Sequence, residues 1–278
     1  MPDRIAIPLE DGTVSALEWK AALPPLHFAH ANGFNAETYR NLLDPLAGQF
    51  HIVASDARGH GFTRLPTEPG SAQGWTIYRD DLLGVLARIA PDGAILAGHS
   101  MGATASLMAA ALRPEAVRAL VLIEPVLVPE GLVFDDNPLA RGAEKRRAVF
   151  PSREMALAAY RGRGAFKTWP EETIRDYLSG GLVDDPAGVR LACGPDWEAQ
   201  NFRAPPLGVT RLAARIRCPV TLIYGSAGST MPSEVARFAE LCPGARIVAK
   251  DGATHFLPME FPDLVRAEIT RRNARPAG

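Results

Sequence analysis

A serine set between two glycines, Gly98-His99-Ser100-Met101-Gly102, is the pattern in this sequence with the clearest chemical content. An apolar run, Ala94 to Ala97, precedes it, and a run of mostly small residues, Ala103 to Leu112, follows. Strand, sharp turn and helix in that order form the setting that a nucleophile elbow requires. Side chains at the two glycine positions would collide with strand and helix around a strained serine. So placed, Ser100 points its hydroxyl away from the sheet at the positive end of a helix, and nucleophilic chemistry there is expected. A serine hydroxyl needs a base, and the base needs an orienting carboxylate; around such an elbow the chain order is serine, acid, histidine. Of six histidines, His255 is expected as the base. It lies in the loop between the last expected strand and the last helix, at the edge where open parallel sheets build their sites. His99 is expected to project elsewhere from the elbow, and His27 and His51 read as packing residues. The Met101 N–H, directly after the serine at a helix N-terminus, is expected to donate to a developing oxyanion.

The elements that must hold these residues alternate. Thr13–Trp19, Leu26–Ala29, His51–Ala54 and Ala119–Ile123 read as strands, with helices over Glu37–Ala47 and Thr76–Ile89. From about Val126 to Pro206 the sequence turns helical and Pro/Gly-punctuated, with amphipathic pieces and no strong β run. Strands return at Val220–Tyr224 and Ala245–Ala249, with helices at Ser233–Leu241 and Pro262–Arg272. The expectation is an α/β fold whose core spans 1–125 and 207–278, with a helical cap of residues 126–206 inserted in it. At 278 residues, with 47% hydrophobic and 22% charged residues and a net charge of −1, the composition is that of an ordinary globular protein. It offers no electrostatic case for nucleic acid or an anionic membrane. No apolar run reaches a membrane-spanning length. The densest basic cluster, Lys145-Arg146-Arg147, reads as a solvated helix face. Three widely spaced cysteines, Cys193, Cys218 and Cys242, read as free thiols, which points to the cytoplasm. No dinucleotide loop, Walker lysine or metal-ligand cluster is visible, so neither cofactor nor metal is expected. The oligomeric state stays open between monomer and homodimer.

Over essentially its whole length the chain resembles the α/β-hydrolase superfamily. Besides the elbow, His30-Ala31-Asn32-Gly33 is similar to the family's oxyanion loop, Asp56-Ala57-Arg58-Gly59-His60-Gly61 to its bracing turn, and Gly252-Ala253-Thr254-His255 to its terminal histidine loop. The resemblance implies a mostly parallel twisted sheet with helices on both faces and a cap after strand 6. It also implies a second oxyanion donor at the Asn32 N–H, with the Asn32 side chain either reaching substrate or bonding its own turn. Asp56, Arg58 and His60 take the architectural role of that turn. One departure stands out. Most members carry the acid a few residues after the seventh strand, but this loop reads Gly225-Ser226-Ala227-Gly228-Ser229 and Gly228 stands in the acid's place. Some members carry the acid after the sixth strand instead. Here Glu124, ending Leu122-Ile123-Glu124-Pro125, is expected to take the role, with Asp251 as the outside candidate.

The expected activity is hydrolysis of a small-molecule ester through an acyl-enzyme on Ser100. C–C bond hydrolysis, perhydrolysis or a lyase reaction on the same triad, or a binding protein on a hydrolase scaffold, are the alternatives. Attack on an alkyl carbon, as in dehalogenases and epoxide hydrolases, is excluded by residue type, because serine would be left as an unreactive ether. Trp169, Tyr177, Trp197, Phe202 and Phe166 divide between a substrate pocket and the cap's own core. Arg161, Arg163 and Arg203 are candidates to meet an acidic substrate.

Overall fold

Continuous apolar runs at the centre of the chain form strands buried on both faces, which only a sheet covered by helices on each side can accommodate. The computed structural model describes residues 1–68, 70–132, 137–229 and 232–273. Its main sheet has eight strands: β1 (Asp3–Leu9), β2 (Gly12–Trp19), β3 (Pro25–Ala29), β4 (His51–Ser55), β5 (Ala94–His99), β6 (Val117–Ile123), β10 (Val220–Gly225) and β11 (Arg246–Lys250). They lie in the order β1-β2-β4-β3-β5-β6-β10-β11. Only the β1–β2 and β2–β4 pairings are antiparallel; the six strands from β4 to β11 run parallel. This is the α/β-hydrolase architecture the sequence points to. It adds the edge strand β1, whose register with β2 is set by the turn at Glu10-Asp11. Alternation along the strands feeds two cores. Ala97, Val121, Ile123 and Ile223 join the cluster on one face, and Leu96, Leu120, Leu122 and Leu222 the cluster on the other.

The main helices are α1 (Arg40–Leu43), α2 (Thr76–Ile89), α3 (Met101–Leu112), α4 (Pro138–Glu144), α5 (Arg153–Tyr160), α6 (Glu171–Gly181), α7 (Pro195–Arg203), α8 (Pro232–Leu241), α9 (Leu257–Glu260) and α10 (Pro262–Asn273). The single helix expected over Glu37–Ala47 is instead α1 flanked by two 3₁₀ turns, with Pro45 in the second. The inserted stretch is mainly helical, but it also carries a three-stranded antiparallel sheet of β7 (Val149–Phe150), β8 (Leu182–Asp185) and β9 (Gly188–Leu191), ordered β7-β9-β8. These strands are two to four residues long, too short for a periodicity to register in the sequence. Its apolar side chains, among them Phe150, Leu157, Phe166, Trp169, Tyr177 and Leu191, are part of the same core cluster as Phe28, Ala97 and Ile223 of the main sheet. No helix among the described residues is long and apolar enough to cross a membrane.

Helix α3 is buried from Met101 to Ala111 and lies against the central strands. Its small residues permit that approach, and Gly102 is the tightest point: a Cβ there would stand 2.3 Å from the Ala29 carbonyl oxygen and 2.6 Å from that of His30. Glycine in a helix ordinarily costs about 1 kcal/mol relative to alanine. Gly102→Ala should reverse that rule and destabilise the protein by about 3 kcal/mol or more, because backbone would have to move. Gly142→Ala, in α4 with open space around the added Cβ, should be neutral or stabilising by about 0.5–1 kcal/mol. Urea denaturation of the two variants checks the pair.

Candidate active site

Between β5 and α3 the chain reverses at Ser100, whose φ of 54° and ψ of −118° lie in a region L residues avoid. The bonds around it hold the strain. Ser100 N–H donates to the Ile123 carbonyl at 2.9 Å, and its own carbonyl accepts the Thr104 N–H at 3.0 Å. A Cβ on Gly98 would lie 2.6 Å from backbone atoms of the facing helix turn, so both glycines of the motif are required by contact. Strands β5 and β6 are paired in register to His99 and Ile123, which sets Ser100 and Glu124 side by side as the first residues beyond the sheet edge. Glu124 N–H continues the ladder to the Ile223 carbonyl of β10 at 2.9 Å. The backbone then turns sharply, with Glu124 at φ 49°.

Three side chains meet above this edge. His255 Nε2 lies 2.9 Å from Ser100 Oγ, and His255 Nδ1 lies 3.1 Å from Glu124 Oε2. Glu124 is fully buried. Its Oε1 accepts the Gly225 N–H at 2.5 Å, and its Oε2 also accepts the Ser229 hydroxyl at 2.8 Å. The loop that lacks a carboxylate at Gly228 therefore supplies donors to a carboxylate from the neighbouring strand. Ser229 was not singled out from sequence, although its place one residue beyond Gly228 is the signal that could have found it. Asp251 lies elsewhere, accepting the Ser226 hydroxyl at 2.8 Å.

The other histidines are occupied. Burial lowers the pKa of His27 and His60 from 6.5 to about 3, helped in each case by the nearby His30, and burial likewise lowers His30 and His99. His99 turns inward: Tyr39 Oη lies 2.7 Å from its Nδ1, and its Nε2 lies 2.7 Å from the His255 carbonyl oxygen. That carbonyl can only accept, so Nε2 carries the proton and Tyr39 donates to Nδ1. His30 Nε2 accepts the Ala57 N–H at 2.8 Å, and His60 Nε2 accepts the Gly33 N–H at 3.0 Å. Asp56 accepts the Ala36 and Phe62 N–H groups, and Arg58 forks onto Asp81, so this turn is a brace. His27 bonds Ser55 and His51 bonds Glu18.

In the His30–Gly33 loop, Ala31 N–H donates to Tyr39 Oη at 3.1 Å. Among the described residues the Asn32 N–H has no acceptor. Met101 N–H, as the first of α3, has none within its helix. The Asn32 side chain does not bond its own turn. Its Nδ2 donates to the Glu198 carbonyl at 3.0 Å, and its Oδ1 accepts Asn201 Nδ2 at 2.8 Å, both on α7. Arg146 corrects the solvated-face reading of 145–147. It lies just beyond α4, half-buried, ion-paired with Glu198 and bonded to the Tyr160 and Tyr177 hydroxyls, while Lys145 and Arg147 are exposed. Arg161 and Arg203 instead form exposed pairs with Glu171 and Glu144. Trp169 and Tyr177 pack edge-on against Phe34, beside the oxyanion-type loop, and Trp169 also meets Phe256, the neighbour of His255. Trp197 bonds the Arg58 carbonyl, and Phe202 packs against the α4–α7 contact.

Residues 28–268 match the family described as the alpha/beta hydrolase family. A 2-(acetamidomethylene)succinate hydrolase of Mesorhizobium japonicum is 27% identical over 254 residues, covering 90% of this chain and 88% of that protein. A bifunctional esterase/perhydrolase of Acinetobacter calcoaceticus is 24% identical, covering 88% of this chain and 90% of that protein. Among solved structures, E-2-(acetamidomethylene)succinate hydrolase is similar with a TM-score of 0.82 at 24% identity, covering 98% of both chains.

The buried neutral histidines make stability depend on pH. Their pKa values are depressed in the folded protein, so the unfolded chain takes up their protons first. The stability they permit is fully present above about pH 6.5 and is lost progressively as pH falls toward 3. Denaturation free energies measured between pH 6.5 and 5, above the range where most carboxylates protonate, should fall by up to about 1.4 kcal/mol per pH unit for each such histidine. A flat profile over that interval would contradict neutral burial.

Proposed function

The chain belongs to the alpha/beta hydrolase family, and from that premise we propose that it is a serine hydrolase acting on a small-molecule ester through an acyl-enzyme on Ser100. The observation that carries this reading is the unbroken line from Ser100 Oγ to His255 Nε2 at 2.9 Å and from His255 Nδ1 to Glu124 Oε2 at 3.1 Å. In this reading Ser100 Oγ attacks the ester carbonyl as His255 Nε2 takes its proton. The imidazolium is steadied by Glu124, and the tetrahedral oxyanion is held by the backbone N–H groups of Asn32 and Met101. Collapse of the intermediate expels the alcohol, protonated by His255. Water, deprotonated by the same nitrogen, then releases the acid and restores the serine.

Several features support the role of Glu124. Its carboxylate is fully buried, and a buried anion is tolerable only where donors surround it. Gly225 N–H, the Ser229 hydroxyl and His255 Nδ1 supply three. Residues 126–206 serve as the cap, which closes over the site from the Phe34, Trp169 and Tyr177 side. The ester, rather than an amide or a carbon–carbon bond, is the substrate that the unassisted triad cleaves most readily, since an alkoxide is the better leaving group.

A fluorophosphonate probe should label Ser100 in the native protein, giving a mass shift on the peptide that carries it, and Ser100→Ala should abolish labelling and ester turnover. Glu124→Gln should keep the fold but lower kcat by about 10⁴-fold. Its amide must face either the Gly225 N–H or the Nδ1 of His255, which disfavours the productive tautomer. Asp251→Asn should retain near-native activity. The reverse outcome for these two carboxylates would transfer the role to Asp251.

A further inference from the structure

The oxyanion-type loop, residues 30–33, has no regular secondary structure, and the groups that flank the open Asn32 N–H are held by different elements. Tyr39 holds the peptide at Ala31, and His60 holds the peptide at Gly33. Both belong to the catalytic core. The residue between them, Asn32, bonds through its side chain to helix α7 of the inserted segment, at the Glu198 carbonyl and the Asn201 amide; His60 Nε2 also lies 3.3 Å from Asn32 Oδ1 but carries no proton for it, since His60 Nδ1 donates to the Arg58 carbonyl.

Hydrogen-bond logic determines this grip completely. The Glu198 carbonyl can only accept, so Asn32 must turn its NH₂ toward it and its oxygen toward Asn201. Asn201 must then offer its NH₂ to Asn32, leaving its Oδ1 for the Tyr78 hydroxyl, which donates at 2.7 Å. Trp75 Nε1 donates to the Asn201 carbonyl at 3.0 Å. Asn201 is fully buried. The result is a closed path from core helix α2, through α7, back to the core loop. No other orientation of the two amides satisfies all of its members. Glu198 is itself pinned by the half-buried Arg146, and its Oε1 lies only 2.6 Å from where a Cβ on Gly33 would be.

From this path we infer that Asn201 is a positioning residue: it acts through the Asn32 side chain to hold the Asn32 backbone N–H where the oxyanion forms. The inference rests on the acyl-transfer reading above and extends it, because it makes turnover depend on a residue of the inserted segment that touches no reacting atom. Donors to an oxyanion work only when prepositioned, so displacing one by a fraction of an ångström is felt at the transition state and not in substrate binding.

The test compares Asn201→Ala, Asn32→Ala and the double variant with the native enzyme, using a p-nitrophenyl ester for turnover and phenylboronic acid as a probe of the tetrahedral adduct. Asn201→Ala should lower kcat by about 10- to 100-fold with KM within about twofold. Boronate affinity should fall with kcat, since its adduct places an oxygen in the same hole. The double variant should be no worse than Asn32→Ala alone, because the two residues act in series. Tyr78→Phe, which removes the hydroxyl that bonds Asn201 Oδ1, should move kcat in the same direction by less; it serves as the test if Asn201→Ala does not fold. Native kcat in both Asn201→Ala and Tyr78→Phe, a change confined to KM, or additive losses in the double variant would overturn the positioning role while leaving Ser100 labelling by fluorophosphonate intact. Absence of labelling in the folded native protein would instead overturn the acyl-transfer reading and the positioning role with it.

Discussion

A carboxylate with no solvent exposure, Glu124, is the group on which the arrangement of the site depends. An unpaired buried anion is costly enough that a protein ordinarily protonates it or avoids it. Here the cost is offset by three donors from three parts of the chain: the end of β10, the loop after it, and the histidine loop after β11. That convergence requires β6 to lie between β5 and β10 and all three to end at one edge, which the parallel register enforces. The strained backbone at Ser100 and the left-handed turn at Glu124 belong to the same requirement. Each aims a side chain out of a strand terminus at once, with no intervening loop to blur its position.

The position of this carboxylate, at the end of β6, follows from the same geometry. In the loop after β10, Gly228 cannot supply a negative charge, but Ser229 beside it sits where the Glu124 carboxylate reaches. What the loop contributes is a backbone N–H and a hydroxyl, so the site keeps its charge and its hydrogen bonds while exchanging which strand provides which.

Around this centre the polar network extends in two directions. Tyr39 accepts from the Ala31 N–H and donates to His99, and His99 donates to the His255 carbonyl, tying the oxyanion-type loop to the histidine loop through the interior. Neutral histidines suit these positions because each imidazole offers one donor and one acceptor in fixed directions. The inserted segment reaches the same loop from outside through α7, and shares its apolar cluster with one face of the main sheet. The segment is joined to the core by buried polar bonds as well as by hydrophobic contact.

Much of this was legible in the sequence because it is local. The glycines about Ser100, the apolar runs of the parallel strands and the loop position of His255 each follow from residue types over a few positions, where sterics and periodicity act directly. The absence of a carboxylate at Gly228 is equally plain, and so is the presence of one, Glu124, at the end of a neighbouring apolar run. Other features escaped because they join residues far apart in the chain. Ser229 meets Glu124 across 105 positions, and Asn201 meets Asn32 across 169. Arg146 reads as a surface charge by its basic neighbours, yet its guanidinium turns inward onto two tyrosine hydroxyls and Glu198. The short strands β7 to β9 have too few residues to show a period, and the edge strand β1, although its Ile5, Ile7 and Leu9 alternate with exposed residues, carries Pro8, which counts against a strand. The sequence by itself determined the serine elbow, the β/α rhythm and the candidate histidine, since local backbone geometry and burial dictate those residue types. Only the tertiary structure decided which distant donors surround the carboxylate and what holds Asn32, because a hydrogen bond depends on distance in space and leaves no periodic trace along the chain.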